Sequence, residues 1–93
     1  MNVNFTPQAA DDLRAIRDWI AADDPRAADR VVSRIVQTAM MFGQFPLLGR
    51  TGRVEGTREF SVVSLPYLII YAIASESEID VLTVVHGRRR YPA

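Results

Sequence analysis

Residues 67–74, YLIIYAIA, constrain this chain most. The run is almost continuously apolar and rich in β-branched and aromatic residues, which suits a strand buried on both faces. It falls far short of the roughly 20 residues that a membrane-spanning helix needs. A strand of this kind needs a neighbour on each side, and the flanking sequence supplies both. Residues 57–63 read as a strand that Ser64-Leu65-Pro66 breaks. Ser75-Glu76-Ser77-Glu78 reads as a polar turn, and residues 79–86 as a further strand ended by Gly87. Connections this short predict an antiparallel meander with 67–74 at its centre.

The first half of the chain has a different period. Residues 2–5 alternate polar and apolar side chains and read as a short strand. Thr6 then stands where an N-cap belongs, with Pro7 at the first helical position. Ala9, Leu13, Ile16 and Ile20 follow at helical spacing as one apolar stripe flanked by Trp19. Asp11, Asp12, Arg14, Arg17 and Asp18 are expected to face water, Arg14 pairing with Asp18 at i,i+4. Asp24-Pro25 repeats the start signal for a second helix through Ala28, Val31, Val32, Ile35, Ala39 and Phe42. Gly43 and Pro46 stop it. Two helices with so short a joint must fold back as a hairpin, at about residues 7–43. Residues 44–56, with Pro46, Gly49, Gly52 and Gly56, read as a loop.

These elements predict one α+β domain over residues 1–93. An N-terminal strand and an antiparallel helical hairpin pack on a small antiparallel sheet, whose last three strands form the meander at 57–86. A basic tail follows at 87–93. A length of 93 residues fits one core and no more. Two helices can cover one face of the sheet. The other face is expected to expose part of YLIIYAIA as an apolar patch, the usual mark of a partner site.

Composition removes several chemistries. Cysteine is absent, so disulfides, thiolate catalysis and thiolate zinc sites are excluded. One histidine leaves carboxylates as the main metal donors, and Asp11-Asp12 and Asp23-Asp24 are adjacent pairs that point to different sides of a helix. No metal and no cofactor are expected. His86 is the sole base for a serine triad, and no serine sits in a nucleophile-elbow context. Gly49-Arg50-Thr51-Gly52 matches neither a phosphate loop nor a dinucleotide motif. The N-terminus lacks the basic and apolar regions of a signal peptide, and a cytoplasmic location is expected.

The eleven basic residues balance eleven acidic ones, yet every base is an arginine. A neutral chain is no bulk polyanion binder, so nucleic-acid contact would need a local patch. Without lysine there is no Schiff base and no lysine general base, and arginine stays protonated. The arginines of the second half form two groups. Arg50, Arg53 and Arg58 span the loop and the start of the first meander strand, while Arg88, Arg89 and Arg90 end the chain beside Tyr91. The first and third meander strands run parallel, so the sheet itself does not bring the groups together. His86 closes a strand beside the tail; a catalytic role there would be proton transfer near a phosphate.

Five motifs in order resemble the ParE/RelE superfamily of toxins from bacterial type II toxin–antitoxin systems, and its ParE-like branch in particular. They are Thr6, Ala10, Asp12-Leu13, Ile16 and Trp19-Ile20; Phe45-Pro46-Leu47-Leu48-Gly49-Arg50; Gly56-Thr57-Arg58-Glu59; Pro66-Tyr67-Leu68-Ile69-Ile70-Tyr71; and Val84-Val85-His86-Gly87-Arg88-Arg89-Arg90-Tyr91-Pro92. The resemblance implies the same helical hairpin on a small sheet. It also implies a cognate, ParD-like antitoxin whose C-terminal segment wraps the toxin and whose N-terminal half, of ribbon-helix-helix or similar type, binds DNA. Leu13, Ile16, Trp19, Ile20, Phe60 and Tyr71 are the antitoxin-facing residues so implied.

The superfamily divides over activity. RelE-like members cut messenger RNA on the ribosome with basic clusters often containing lysine, which this chain lacks. If it were such a ribonuclease, Glu59 (or Glu55), Arg58, His86, Arg89 and Tyr91 would supply the residue types, although His86 and Tyr91 are not adjacent. ParE-like members act on DNA gyrase, causing growth arrest and plasmid stabilisation. The motif set and the missing lysines favour that branch. Arg53, Arg58, Arg88, Arg89, Arg90 and Tyr91 are then the expected target-facing residues. A binding module that has lost toxicity is a further alternative.

Overall fold

A computed structural model describes residues 1–87. The expected sites at Arg88, Arg89, Arg90 and Tyr91 lie outside the described residues. The chain runs β1 (Asn2–Phe5), α1 (Pro7–Ala21), α2 (Pro25–Met40), a 3₁₀ turn (Met41–Gly43), β2 (Arg50–Thr51), β3 (Arg58–Ser61), β4 (Tyr67–Ile73) and β5 (Glu78–His86). The strands form one sheet in the order β1-β5-β4-β3-β2. The class is α+β as expected, and β4 is the middle strand.

Both helix starts follow the sequence signals. Thr6 Oγ1 accepts the Ala9 N–H at 3.1 Å and donates to the Leu82 carbonyl at 2.9 Å, so one hydroxyl caps α1 and ties it to β5. Asp24 Oδ1 accepts from Arg26 and Ala27, both at 3.1 Å, with Pro25 at the first position of α2. Arg17 pairs with Asp29 across the hairpin, and Arg14 pairs with Asp11 rather than with Asp18. These pairs are mostly exposed and stabilise little.

Two features of the sheet differ from expectation. The sheet is mixed, because β1 pairs parallel with β5, Val3 opposite Ile79 and Phe5 opposite Val81. Asn2 and Asn4 fix that register by donating to the Glu78 carboxylate at 3.2 and 2.8 Å. These bonds hold the Glu78 carboxyl below its ordinary pKa. The loop also contains a strand: β2 extends the other edge, Arg50 opposite Glu59 and Thr51 opposite Arg58.

The helices cover the face that carries Tyr67, Ile69 and Tyr71 on β4 and Ile79, Val81 and Val84 on β5. Phe42 closes this core. Its ring stacks on Tyr71 with centroids 3.9 Å apart and meets Phe60 edge-on at 5.9 Å. The opposite face carries Leu68, Ile70 and Val85 with half-buried Leu82. All three of the former are buried, so the expected exposed patch from YLIIYAIA is not there.

Candidate functional site

β5 is bulged where α1 crosses it. Ile70 lies opposite Thr83 and Tyr71 opposite Val81, which leaves Leu82 as an extra residue. Asp12 answers this irregularity. Its Oδ2 accepts from the Thr83 hydroxyl and, at 3.0 Å, from the Val84 N–H. Asp12 therefore does not face water as the helical wheel suggests; it is half-buried and pins α1 to β5. A groove of about 300 Å³ opens beside this contact, lined by Asp12, Ala15, Ile16, Trp19, Tyr67, Val84 and His86. Trp19 is 81% exposed at its rim. The ring of His86 stands edge-on to Tyr67 at 5.6 Å. The structure thus joins Ile16 and Trp19 of the expected antitoxin set to His86 of the expected catalytic set.

The rest of the antitoxin set lies deeper. Leu13, Ile16 and Phe60 are half-buried against the core, and Ile20 is half-buried. Tyr71 is fully buried and presents no surface to a partner. Its hydroxyl donates to the Pro46 carbonyl and accepts the Gly49 N–H, both at 2.8 Å. Burial pushes the phenol up, against the Gly49 N–H and the Arg58 charge. Tyr71 is a clasp for the 46–49 loop. Gly49 is required there, because a Cβ would lie 2.8 Å from the Tyr71 ring and hydroxyl.

Two expected site residues turn out to be fixed within the fold. Arg58, on β3, donates from Nη1 to the Gly49 carbonyl at 2.6 Å and so holds the same loop. Glu59 is only 2% exposed. Arg50 Nη2 lies 3.3 Å and Arg53 Nε 3.5 Å from its Oε1, and the Arg53 N–H donates to Oε2 at 2.9 Å. Burial alone would raise this carboxyl. The Arg53 N–H, the Arg50 guanidinium and the charge of both arginines together outweigh that and hold it below the usual range. Arg50 was not among the expected target-facing residues; its place beside Glu59 depends on β2, which the loop composition hid.

The family model of the ParE toxin of type II toxin–antitoxin systems, parDE, matches residues 3–91. The chain belongs to the ParE toxin family. It is 37% identical over 90 residues to Y4kP of Sinorhizobium fredii, a protein provisionally named a toxin, covering 97% of this chain and 92% of that one. It is 34% identical over 87 residues to Toxin RelE2 of Caulobacter vibrioides, covering 94% and 96%. Its fold matches a chain of the chromosomal ParDE toxin–antitoxin system from P. aeruginosa with a TM-score of 0.81 at 26% identity, covering 92% and 95%.

Within this ParE-type toxin, Glu59 and His86, the candidate nuclease base and acid among the described residues, are kept apart. Glu59 lies opposite Ile70, on the helix-free face. His86 lies opposite Tyr67, on the helix-covered face. Arg58 shares that covered face but sits level with Tyr71, four residues along β4 from Tyr67, or about 13 Å. The candidate base and acid thus stand on opposite sides of the sheet. Among the described residues no three His, Asp or Glu gather as a metal site would require, and no helix is long and apolar enough to cross a membrane.

Proposed function

We propose that this ParE-type toxin inhibits DNA gyrase in the cytoplasm and is neutralised by a cognate antitoxin that covers the α1 groove. The observation that carries the reading is the separation of Glu59 from His86 by the full thickness of the sheet. Ribonucleolytic transfer needs a base on the 2′-hydroxyl and an acid on the leaving oxygen at one phosphate. Glu59 is sealed, ionised and committed to two arginines, and lysine is absent. With no base and acid paired at one point among the described residues, the reading is that the toxin acts by binding, which fits a protein target such as gyrase.

The antitoxin half of the proposal rests on Trp19. A tryptophan exposed at the rim of a partly apolar groove is the type of residue that becomes an interface anchor when a partner covers it. The antitoxin's DNA-binding half, of ribbon-helix-helix or similar form, would remain free. Adding purified toxin to a gyrase supercoiling reaction, and separately to programmed ribosomes, tests the reading. Lost supercoiling with intact message is expected. Cleaved message with normal supercoiling overturns it, and normal growth at high expression without antitoxin indicates a non-toxic binding module instead.

A further inference from the structure

Residues 35–49 carry no charged side chain, in a chain where 24% of residues are charged. The stretch holds the end of α2, the 3₁₀ turn and the loop before β2. Five of its large apolar side chains, Met40, Met41, Phe45, Leu47 and Leu48, are 38% to 67% exposed. They are neighbours in space as well as in sequence. The Met41 carbonyl accepts the Phe45 N–H at 2.9 Å, and the Phe45 carbonyl accepts the Leu48 N–H at 3.0 Å, so each follows the last by one turn. Their exposure is not that of a frayed segment. Phe42 is buried in the core, the N-terminal ammonium donates to the Gly43 carbonyl at 2.9 Å, and the Tyr71 hydroxyl holds Pro46 and Gly49. The fold thus fixes a cluster of apolar side chains in water, where scattered single residues are the norm.

We propose that this patch is the interface of a homodimer, the Met41–Phe45–Leu48 surface of one copy meeting the same surface of a second copy about a two-fold axis. Charge decides between occupants. An acidic peptide, a nucleic acid or an anionic lipid would find no ion to pair with inside the patch. The arginines that bound it in sequence are held elsewhere, Arg34 Nη2 donating to the Val63 carbonyl at 2.7 Å and Arg50 Nη2 lying 3.3 Å from Glu59 Oε1. A two-fold interface sets a surface against itself, so like charges are its usual obstacle, and a charge-free patch has none. Two methionines allow the facing surfaces to repack. The exposed side chains leave on the order of 500 Å² of apolar surface per copy, so a pair would bury about 1,000 Å², the least that a specific interface needs. An area at that lower bound makes the dimer a weak one, dissociating in the micromolar range. The patch shares no residue with the α1 groove, so the proposal depends neither on the antitoxin site nor on gyrase being the target.

Sedimentation equilibrium of the full-length toxin tests it, with methyl NMR of the methionines on the same samples. Between about 1 and 200 µM the wild type should pass from monomer to dimer, with the Met40 and Met41 methyl signals shifting over that range. Leu47→Glu, at the most exposed of the five positions, should weaken the dimer about tenfold or more and leave the urea unfolding midpoint unchanged. A monomer at the highest concentration overturns the proposal. So does a dimer whose Met40 and Met41 signals stay still, or one that Leu47→Glu leaves intact. Movement of those signals only on adding phosphatidylcholine–phosphatidylglycerol vesicles overturns it in favour of a lipid contact. The wild-type signals decide the matter even if Leu47→Glu misfolds.

Discussion

The two faces of the sheet are built from the same strands and held by different physics. On the covered face, Phe42, Tyr71 and Ile69 belong to one packed core; the Tyr71 hydroxyl is spent on a loop carbonyl and a loop amide, and Asp12 on the Thr83 hydroxyl and the Val84 N–H of β5. On the helix-free face an apolar strip, Leu68, Ile70 and Val85, runs between two polar clasps. One is Arg50–Glu59–Arg53 at the β2–β3 edge, the other Asn2 and Asn4 on Glu78 at the β1–β5 edge. Packing complementarity stabilises the first face, whereas the second depends on which groups are ionised.

Truncation of the covered face should therefore have the largest effect. Phe42 is fully buried and touches Tyr71 and Phe60. Phe42→Ala removes a large ring and leaves a cavity, with an expected loss of about 3–5 kcal/mol in urea unfolding. For a domain of this size that is a substantial part of the whole stability, about 5–15 kcal/mol. A loss below about 1 kcal/mol would mean that the stacked aromatic pair does not organise the core.

Glu59 comes next and separates the faces by pH. Glu59→Gln keeps the shape but removes the charge from two arginines, with an expected loss of about 1–3 kcal/mol near neutral pH. The folded-state pKa is lowered, so the stabilisation is present above the unfolded value of about 4.5 and is lost as pH falls through the folded value. Wild type should weaken through this acid range more steeply than Glu59→Gln, whereas Phe42→Ala should keep the wild-type slope. Parallel acid limbs in wild type and Glu59→Gln would refute the assignment of an ionised clasp.

Tyr71→Phe is smaller again, since it spares the stacked ring and removes only the hydroxyl shared by Pro46 and Gly49. About 1–2 kcal/mol is expected, with faster amide exchange at Gly49. This residue also shows where sequence reading stops. In YLIIYAIA every position is apolar, so no alternation says which side chains face the helices, and Tyr71 reads equally well as a surface anchor and as core. The helix caps at Thr6 and Asp24 are local and legible, because cap, proline and stripe lie within one turn of each other. The β1–β5 pairing joins residues some 76 positions apart, Asn2 with Glu78, and no local pattern encodes it. The Leu82 bulge is equally silent, and with it the reason Asp12 turns inward. Arg58 and Glu59 are conspicuous in sequence by charge alone, but their partners come from a loop whose glycines conceal a two-residue strand.

The smallest stability effect belongs to Trp19, where the two roles of the covered face separate. The residue lies on α1, above a face built for packing, yet 81% of it is in water. Trp19→Ala removes little buried area, so unfolding should stay within about 0.5 kcal/mol of wild type. If the antitoxin covers the α1 groove, the same change should weaken the toxin–antitoxin complex by about 2 kcal/mol or more, roughly 30-fold in Kd, by calorimetry. A fold left intact with a complex much weakened would assign Trp19 to the partner rather than to the core. Unchanged antitoxin affinity would move the interface away from this groove, and a large loss of stability would return Trp19 to the fold.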